Sequence, residues 1–218
     1  MSVDSVRKVR NIGLVEATDG EIGTLAEIEF ELEAPSEHEV LLDDSPFDEV
    51  EKQVYSFTYE SEPLFGSPTT ASGSIELRIH SGLVILNSSD DRPRPKTIFK
   101  RFREYLAELS GGPGNIIQDD FYPELESIRE FIKRADVWID VRAIKPDGST
   151  IQITENGQTK LDEYPIDRAK LRFSYYDRGE QKETTVVYSD DQLHIRTDNS
   201  TLREYVLQQF EAALKSTS

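Results

Sequence analysis

Side chains that commonly do chemistry are few in this sequence, and they lie far apart. The three histidines, His38, His80 and His194, form no His-x-His or His-x-x-x-His pair, the spacings that turn two imidazoles toward one metal. His80 alternates with Leu77 and Ile79, and His194 sits between Leu193 and Ile195, so both are expected to point away from an apolar face. Cysteine is absent, which removes disulfides and thiolate chemistry. The Gly-Gly-Pro-Gly stretch at 111–114 lacks the lysine and Ser/Thr of a phosphate-binding loop and reads as a hinge. No serine stands in a Gly-x-Ser-x-Gly elbow, and no acidic run matches the Asp-x-Asp-x-Asp-Gly calcium loop. The acidic pairs Asp43-Asp44, Asp90-Asp91, Asp119-Asp120 and Asp190-Asp191 are expected at solvated turns. Among 42 carboxylates no pair stands out as acid and base. The expectation is a protein without catalytic residues, metal or cofactor.

One segment departs from the rest. Residues 92–103, RPRPKTIFKRFR, carry Arg92, Arg94, Lys96, Lys100, Arg101 and Arg103 and no acidic residue. Lys96 and Lys100 fall in the first turns of an expected helix, with Glu104 and Glu108 further along. That order opposes the helix dipole, at roughly 0.3–1 kcal/mol per charge in low salt. The matching helix near the C-terminus has no such cluster, and the Arg-Pro-Arg-Pro stretch is inserted relative to it. Three readings compete: internal charge balance against the chain's own acidic surface, docking of an acidic protein partner, and binding of nucleic acid. Six phosphate contacts would lose about five decades of affinity for a tenfold rise in salt, which weighs against the third in a salty cytoplasm. Aromatic stacking could compensate, but Phe99 and Phe102 are expected in the core.

The elements that would position these residues follow from periodicity. Alternation marks strands over Ala26–Leu32, Val54–Tyr59, Ile75–His80 and Leu83–Leu86, and helical spacing takes over at 95–109, with Ile98, Phe99, Phe102, Tyr105, Leu106 and Leu109 on one stripe. After the glycine-rich break the order returns. Strands are expected at Trp138–Ile144, Ile151–Thr154, Leu171–Tyr176, Thr184–Tyr188 and Leu193–Thr197, then a helix at Thr201–Leu214. Pro146-Asp147-Gly148 suits the turn between the first two. Placing Ile28 on Ile139 aligns Pro35 with Pro146, Val40 with Ile151 and Leu42 with Ile153 without a gap. Further on, Phe57-Thr58-Tyr59 matches Phe173-Ser174-Tyr175, Leu83-Val84-Ile85 matches Leu193-His194-Ile195, and Arg103-Glu104-Tyr105-Leu106 matches Arg203-Glu204-Tyr205-Val206. A helix at Asp119–Ala135, with no counterpart in the first half, bridges the two.

The expected fold class is therefore α+β: two related halves, each a mostly antiparallel five-stranded sheet followed by an amphipathic helix. Residues 1–19 form an N-terminal arm, 20–110 the first repeat, 111–135 the linker and bridging helix, and 136–218 the second repeat. Each sheet is expected to bury one face under its helix.

Net charge is −17, with 15 arginines against 10 lysines and only 36% hydrophobic residues. At ordinary ionic strength that excess pushes a compact state apart. At molar salt the Debye length falls to about 3 Å and the repulsion is screened. The pattern fits a salt-rich cytoplasm such as a haloarchaeon's. Nineteen Phe and Tyr residues and Trp138 sit inside periodic segments, which argues against disorder except at roughly 1–10 and 216–218. No apolar run reaches the roughly 18–20 residues of a membrane span, and the first ten residues do not read as a signal peptide. The reading is a cytoplasmic, non-catalytic adaptor that docks a protein partner through sheet edges or the basic segment, the alternative being a nucleic-acid-associated factor using Arg92–Arg103.

Overall fold

In the computed structural model, the described residues are 3–8, 23–25, 28–33, 36–61, 69–88, 93–109, 123–154, 161–189 and 192–215. They form an α+β fold with two antiparallel sheets and three helices. The chain divides into two compact units. The first comprises Ser2–Glu39 and Glu49–Phe121, the second Val40–Asp48 and Tyr122–Ser218.

The first unit contains strands β1 (Val3–Lys8), β2 (Gly23–Leu25), β3 (Ile28–Leu32), β4 (Ser36–His38), β5 (Val50–Ser61), β6 (Thr69–Arg78) and β7 (Leu83–Ser88), then helix α1 (Pro95–Leu109). Four long neighbours, β3-β5-β6-β7, make the body of the sheet; β2 extends it beyond β3, β1 beyond β7, and β4 pairs with β5. The loose arm expected at the N-terminus thus contains a strand, its backbone satisfied along β7. Val40 and Leu42, aligned from sequence with strand residues, lie in no strand and belong to the other unit.

Alternation puts Ile28, Phe30, Tyr55, Phe57, Ile75, Leu77, Val84 and Leu86 on one face, where α1 lays Ile98, Phe99, Phe102, Tyr105 and Leu106 across them. Phe102 is the hub. Its ring centroid lies 5.3 Å from Phe30, 4.9 Å from Tyr55 in an edge contact, and 6.1 Å from Tyr105. Gly73 faces Phe57 across β5 and β6. A Cβ there would stand 2.3 Å from the Asn87 carbonyl oxygen and 2.8 Å from the Phe57 ring. Gly73→Ala should therefore lower stability by about 1–3 kcal/mol, the usual cost of overpacking. An unchanged urea midpoint would show that β7 gives way without strain.

The reverse face of this sheet departs from expectation. Alternation in IELRIH makes Glu76 and Arg78 solvent residues, yet they are 5% and 1% exposed. Arg78 Nη1 lies 2.7 Å from Glu76 Oε1, and Lys52 Nζ lies 3.6 Å from the same oxygen. Leu83 and Ile85 are buried beside them. β7 is covered on both sides, as its unbroken LVIL run permits.

The second unit contains α2 (Leu125–Lys133), β8 (Val137–Ile144), β9 (Thr150–Ile153), β10 (Ile166–Asp177), β11 (Glu180–Ser189), β12 (Gln192–Arg196) and α3 (Ser200–Lys215). Its five strands run β12-β11-β10-β8-β9, all antiparallel. Helix α2 begins at Leu125, later than the expected Asp119, because Glu124 has an extended backbone with ψ 143°. At the other end, hydrogen bonding to Glu130 and the nearby carboxylates of Asp162 and Glu126 hold the Lys133 ammonium above its ordinary range. The turn at 145–149 is as expected. Gly148 N donates to Lys145 O at 2.9 Å with a Gly148 φ of 80°, and Ser149 holds the Asp147 carboxyl below the usual range by hydrogen bonds.

Here Phe131 of α2 stacks on Phe173 of β10 at 5.2 Å and meets Phe210 of α3 edge-on at 5.1 Å. Trp138 Nε1 donates to Ile132 O at 2.8 Å, tying β8 to α2. Asn199 caps α3, its Oδ1 accepting from Leu202 N at 2.8 Å. Buried polar groups on α3 find partners in the Val40–Asp48 segment and at the end of α2. Leu41 N donates to Gln208 Oε1 at 2.7 Å, and Arg134 reaches both Gln209 Oε1 (3.0 Å) and Asp44 Oδ2 (2.8 Å).

The two units share a connectivity, β3-β5-β6-β7-α1 against β8-β10-β11-β12-α3. Residue by residue the aligned positions differ. Ile28 is in a core, while Ile139 is 36% exposed, because β8 slips register opposite Lys170 and Leu171. Tyr105 is buried, whereas Tyr205 lies partly open against Tyr175 at 4.9 Å.

Candidate docking site

Helix α1 sets the geometry of the basic segment. Its stripe of Ile98, Phe99, Phe102, Tyr105 and Leu106 is sunk in the first core, so neither phenylalanine is open to stack on a base. The cations occupy what remains of the helix surface. The carbonyl of Arg94 accepts the first helical bonds, from Thr97 N (2.8 Å) and Ile98 N (3.4 Å), which fixes Arg94 at the N-terminal cap.

The six residues do not act as one cluster. Arg92 lies outside the described residues. Arg94, Lys96 and Lys100 are exposed, Arg101 and Arg103 half-buried. Arg101 Nη1 pairs with Glu104 Oε2 at 2.9 Å, and Lys100 Nζ lies 3.9 Å from Glu104 Oε1. These exposed pairs are worth a few tenths of a kcal/mol, about 0.2–0.5 each. Arg94 and Lys96 form no ion pair among the described residues. Internal charge balance therefore accounts for part of the segment and leaves its leading end open.

Other candidates fall elsewhere. His80 Nε2 stands 3.7 Å from Glu49 Oε1, and His194 lies on β12 across from Val187. His38 is in β4. Asp43 and Asp44 are exposed at a turn, with Asp44 holding Arg134. The other three acidic pairs and the 111–114 glycines lie outside the described residues. Burial raises the Tyr205 hydroxyl above its ordinary range. Among the described residues no three His, Asp or Glu side chains converge to hold a metal, and no helix is long and apolar enough to cross a membrane.

A second set of cations escaped the sequence reading: Arg142, Arg168, Lys170, Arg172 and Arg196, on the strands of the second sheet. The signal was the alternation Arg168-Ala169-Lys170-Leu171-Arg172, which puts three cations on one side of β10. Comparison with protein-family models, with curated proteins and with solved structures yields no match.

Proposed function

We infer that this chain is a non-catalytic interaction protein that docks an acidic protein partner through the exposed leading end of α1. What carries the reading is the division of that helix. Its apolar stripe is committed to the core, while Arg94, Lys96 and Lys100 stand in solvent where the helix dipole disfavours cations. A partner carboxylate would relieve that penalty. Nucleic acid, the alternative for Arg92–Arg103, gains less here because Phe99 and Phe102 are buried. The outer strand β9, four residues long, offers an edge where a partner strand could add. The shared connectivity supports reading the units as related modules, and the net charge of −17 supports a salt-rich cytoplasm as the setting.

In-cell crosslinking of wild type against Arg94→Glu/Lys96→Glu/Lys100→Glu tests the reading. The expected result is a protein adduct that the triple variant loses, at an unchanged melting temperature. Equal capture by both forms, or an adduct to nucleic acid, would overturn it.

A further inference from the structure

The second sheet has one face covered by α2 and α3, and its other face is exposed along β8 and β10, although Val187 of β11 is buried on it. Residues on the open face follow from register. Arg142 stands directly across from Arg168, and Asp140 from Lys170. Arg172 faces Thr185, with Arg196 beyond it on β12. Along β10 the three cations recur every second residue, about 6.6 Å apart. Two carboxylates interrupt them: Asp140 pairs with Arg142 at 2.9 Å, and Glu183 lies 3.7 Å from Arg172. Arg168, Lys170 and Arg196 form no ion pair among the described residues.

The same face carries a second anomaly. The large apolar side chains exposed among the described residues are Val137 (37%), Ile139 (36%), Ile144 (40%) and Tyr176 (68%). All four project from it. Val137 is opposite Arg172, Ile144 follows the inward Ala143, and Tyr176 is paired with Gln181 two residues beyond Ser174. Ile139 joins them because the register slips between Lys170 and Leu171, so Ile139 and Asp140 both sit between the inward Trp138 and the buried Val141.

We propose that this open face is a docking surface for an acidic amphipathic helix of a partner protein. In a chain of net charge −17, Arg168 and Lys170 stand on this face with no ion pair among the described residues, and of the two arginines opposite each other Asp140 pairs with Arg142 alone. Arginine beside exposed aliphatic and aromatic groups is the composition of a protein interface. The layout selects the shape. Apolar groups run along β8, cations along the adjacent β10, and eight residues of strand span about 26 Å. A helix of about 17 residues covers the same length. Lying along β8, it would set its apolar stripe on Val137, Ile139 and Ile144 and a carboxylate flank on Arg168, Lys170 and Arg172, adding a third layer to the sheet. Single-stranded nucleic acid fits less well: Tyr176, the one ring exposed there among the described residues, stands at the hairpin end, and the β8 aliphatics offer phosphates nothing.

The inference rests on reading the chain as an interaction protein, but it uses none of the α1 residues. Fluorescence anisotropy would follow three probes on the full chain: a synthetic helical peptide with a leucine stripe and a glutamate flank, poly-glutamate of equal charge, and oligothymidylate. The peptide should bind roughly tenfold or more tighter than poly-glutamate, since the apolar stripe adds its own contacts. Arg168→Gln/Arg172→Gln and, separately, Ile139→Asp should each remove roughly tenfold or more of that affinity. Both substitutions fall on exposed side chains, so melting temperatures should hold. Arg94→Glu/Lys96→Glu should leave peptide binding unchanged; its loss there alone would place docking on α1 and overturn this site. Tighter binding of oligothymidylate, equal affinity for both acidic probes, or insensitivity to the sheet variants would overturn it as well.

Discussion

Replacing Phe102 with alanine should cost about 3–5 kcal/mol, the range for removing a buried phenylalanine. The size follows from its surroundings. The side chain is fully buried, and Phe30, Tyr55 and Tyr105 pack their rings around it, so the hole would be lined by rigid groups that collapse poorly. The loss should appear in the urea transition of the first unit, with the slope preserved. A cost below about 1.5 kcal/mol would mean that α1 is held to the sheet by something other than this aromatic packing. Because α1 also carries Arg94, Lys96 and Lys100, the variant should weaken docking at α1 and stability together, whereas the surface charge variants should touch docking alone.

Glu76→Gln is the second large effect, about 3–5 kcal/mol, and for a different reason. The substitution keeps shape and removes one charge. Arg78, 1% exposed, would lose the carboxylate 2.7 Å from its Nη1, and Lys52 would lose the same partner at 3.6 Å. Taking away a charge 2.7 Å from a buried guanidinium removes attraction that had offset part of its desolvation penalty. Added salt should do little to rescue the variant, since screening acts weakly on buried charges. A midpoint that moves by less than the equivalent of about 1 kcal/mol would show that Glu76 is dispensable to the charge balance of that face.

These two positions also mark what the sequence makes legible and what it hides. Phe102 belongs to a stripe at 98, 99, 102, 105 and 106 whose helical spacing announces a buried face. Likewise AEIEFEL and LRFSYY alternate as half-buried strands must, and Ile28–Leu32 and Leu171–Tyr176 lie in strands with Ile28, Phe30, Leu171 and Phe173 inward. Glu76 and Arg78 alternate with Ile75 and Leu77 in the same manner, so locally they look solvated. Their burial depends on what lies across the sheet, which periodicity does not encode. The register slip in β8 is equally silent, and it is why Ile139 is exposed while Ile28 is buried. The cations of the open face are spread from position 142 to 196. Only the pairing of β8, β10, β11 and β12 brings them together. Arg94, Lys96 and Lys100, being contiguous, were visible from the start.

The membership of Val40–Asp48 in the second unit has a consequence for how the gene can be divided. No single break yields both modules whole. A plasmid encoding residues 122–218 alone would leave Gln208 without the amide of Leu41 and Arg134 without the carboxylate of Asp44. Any truncation series that aims to keep the second unit whole must carry Val40–Asp48 along with it.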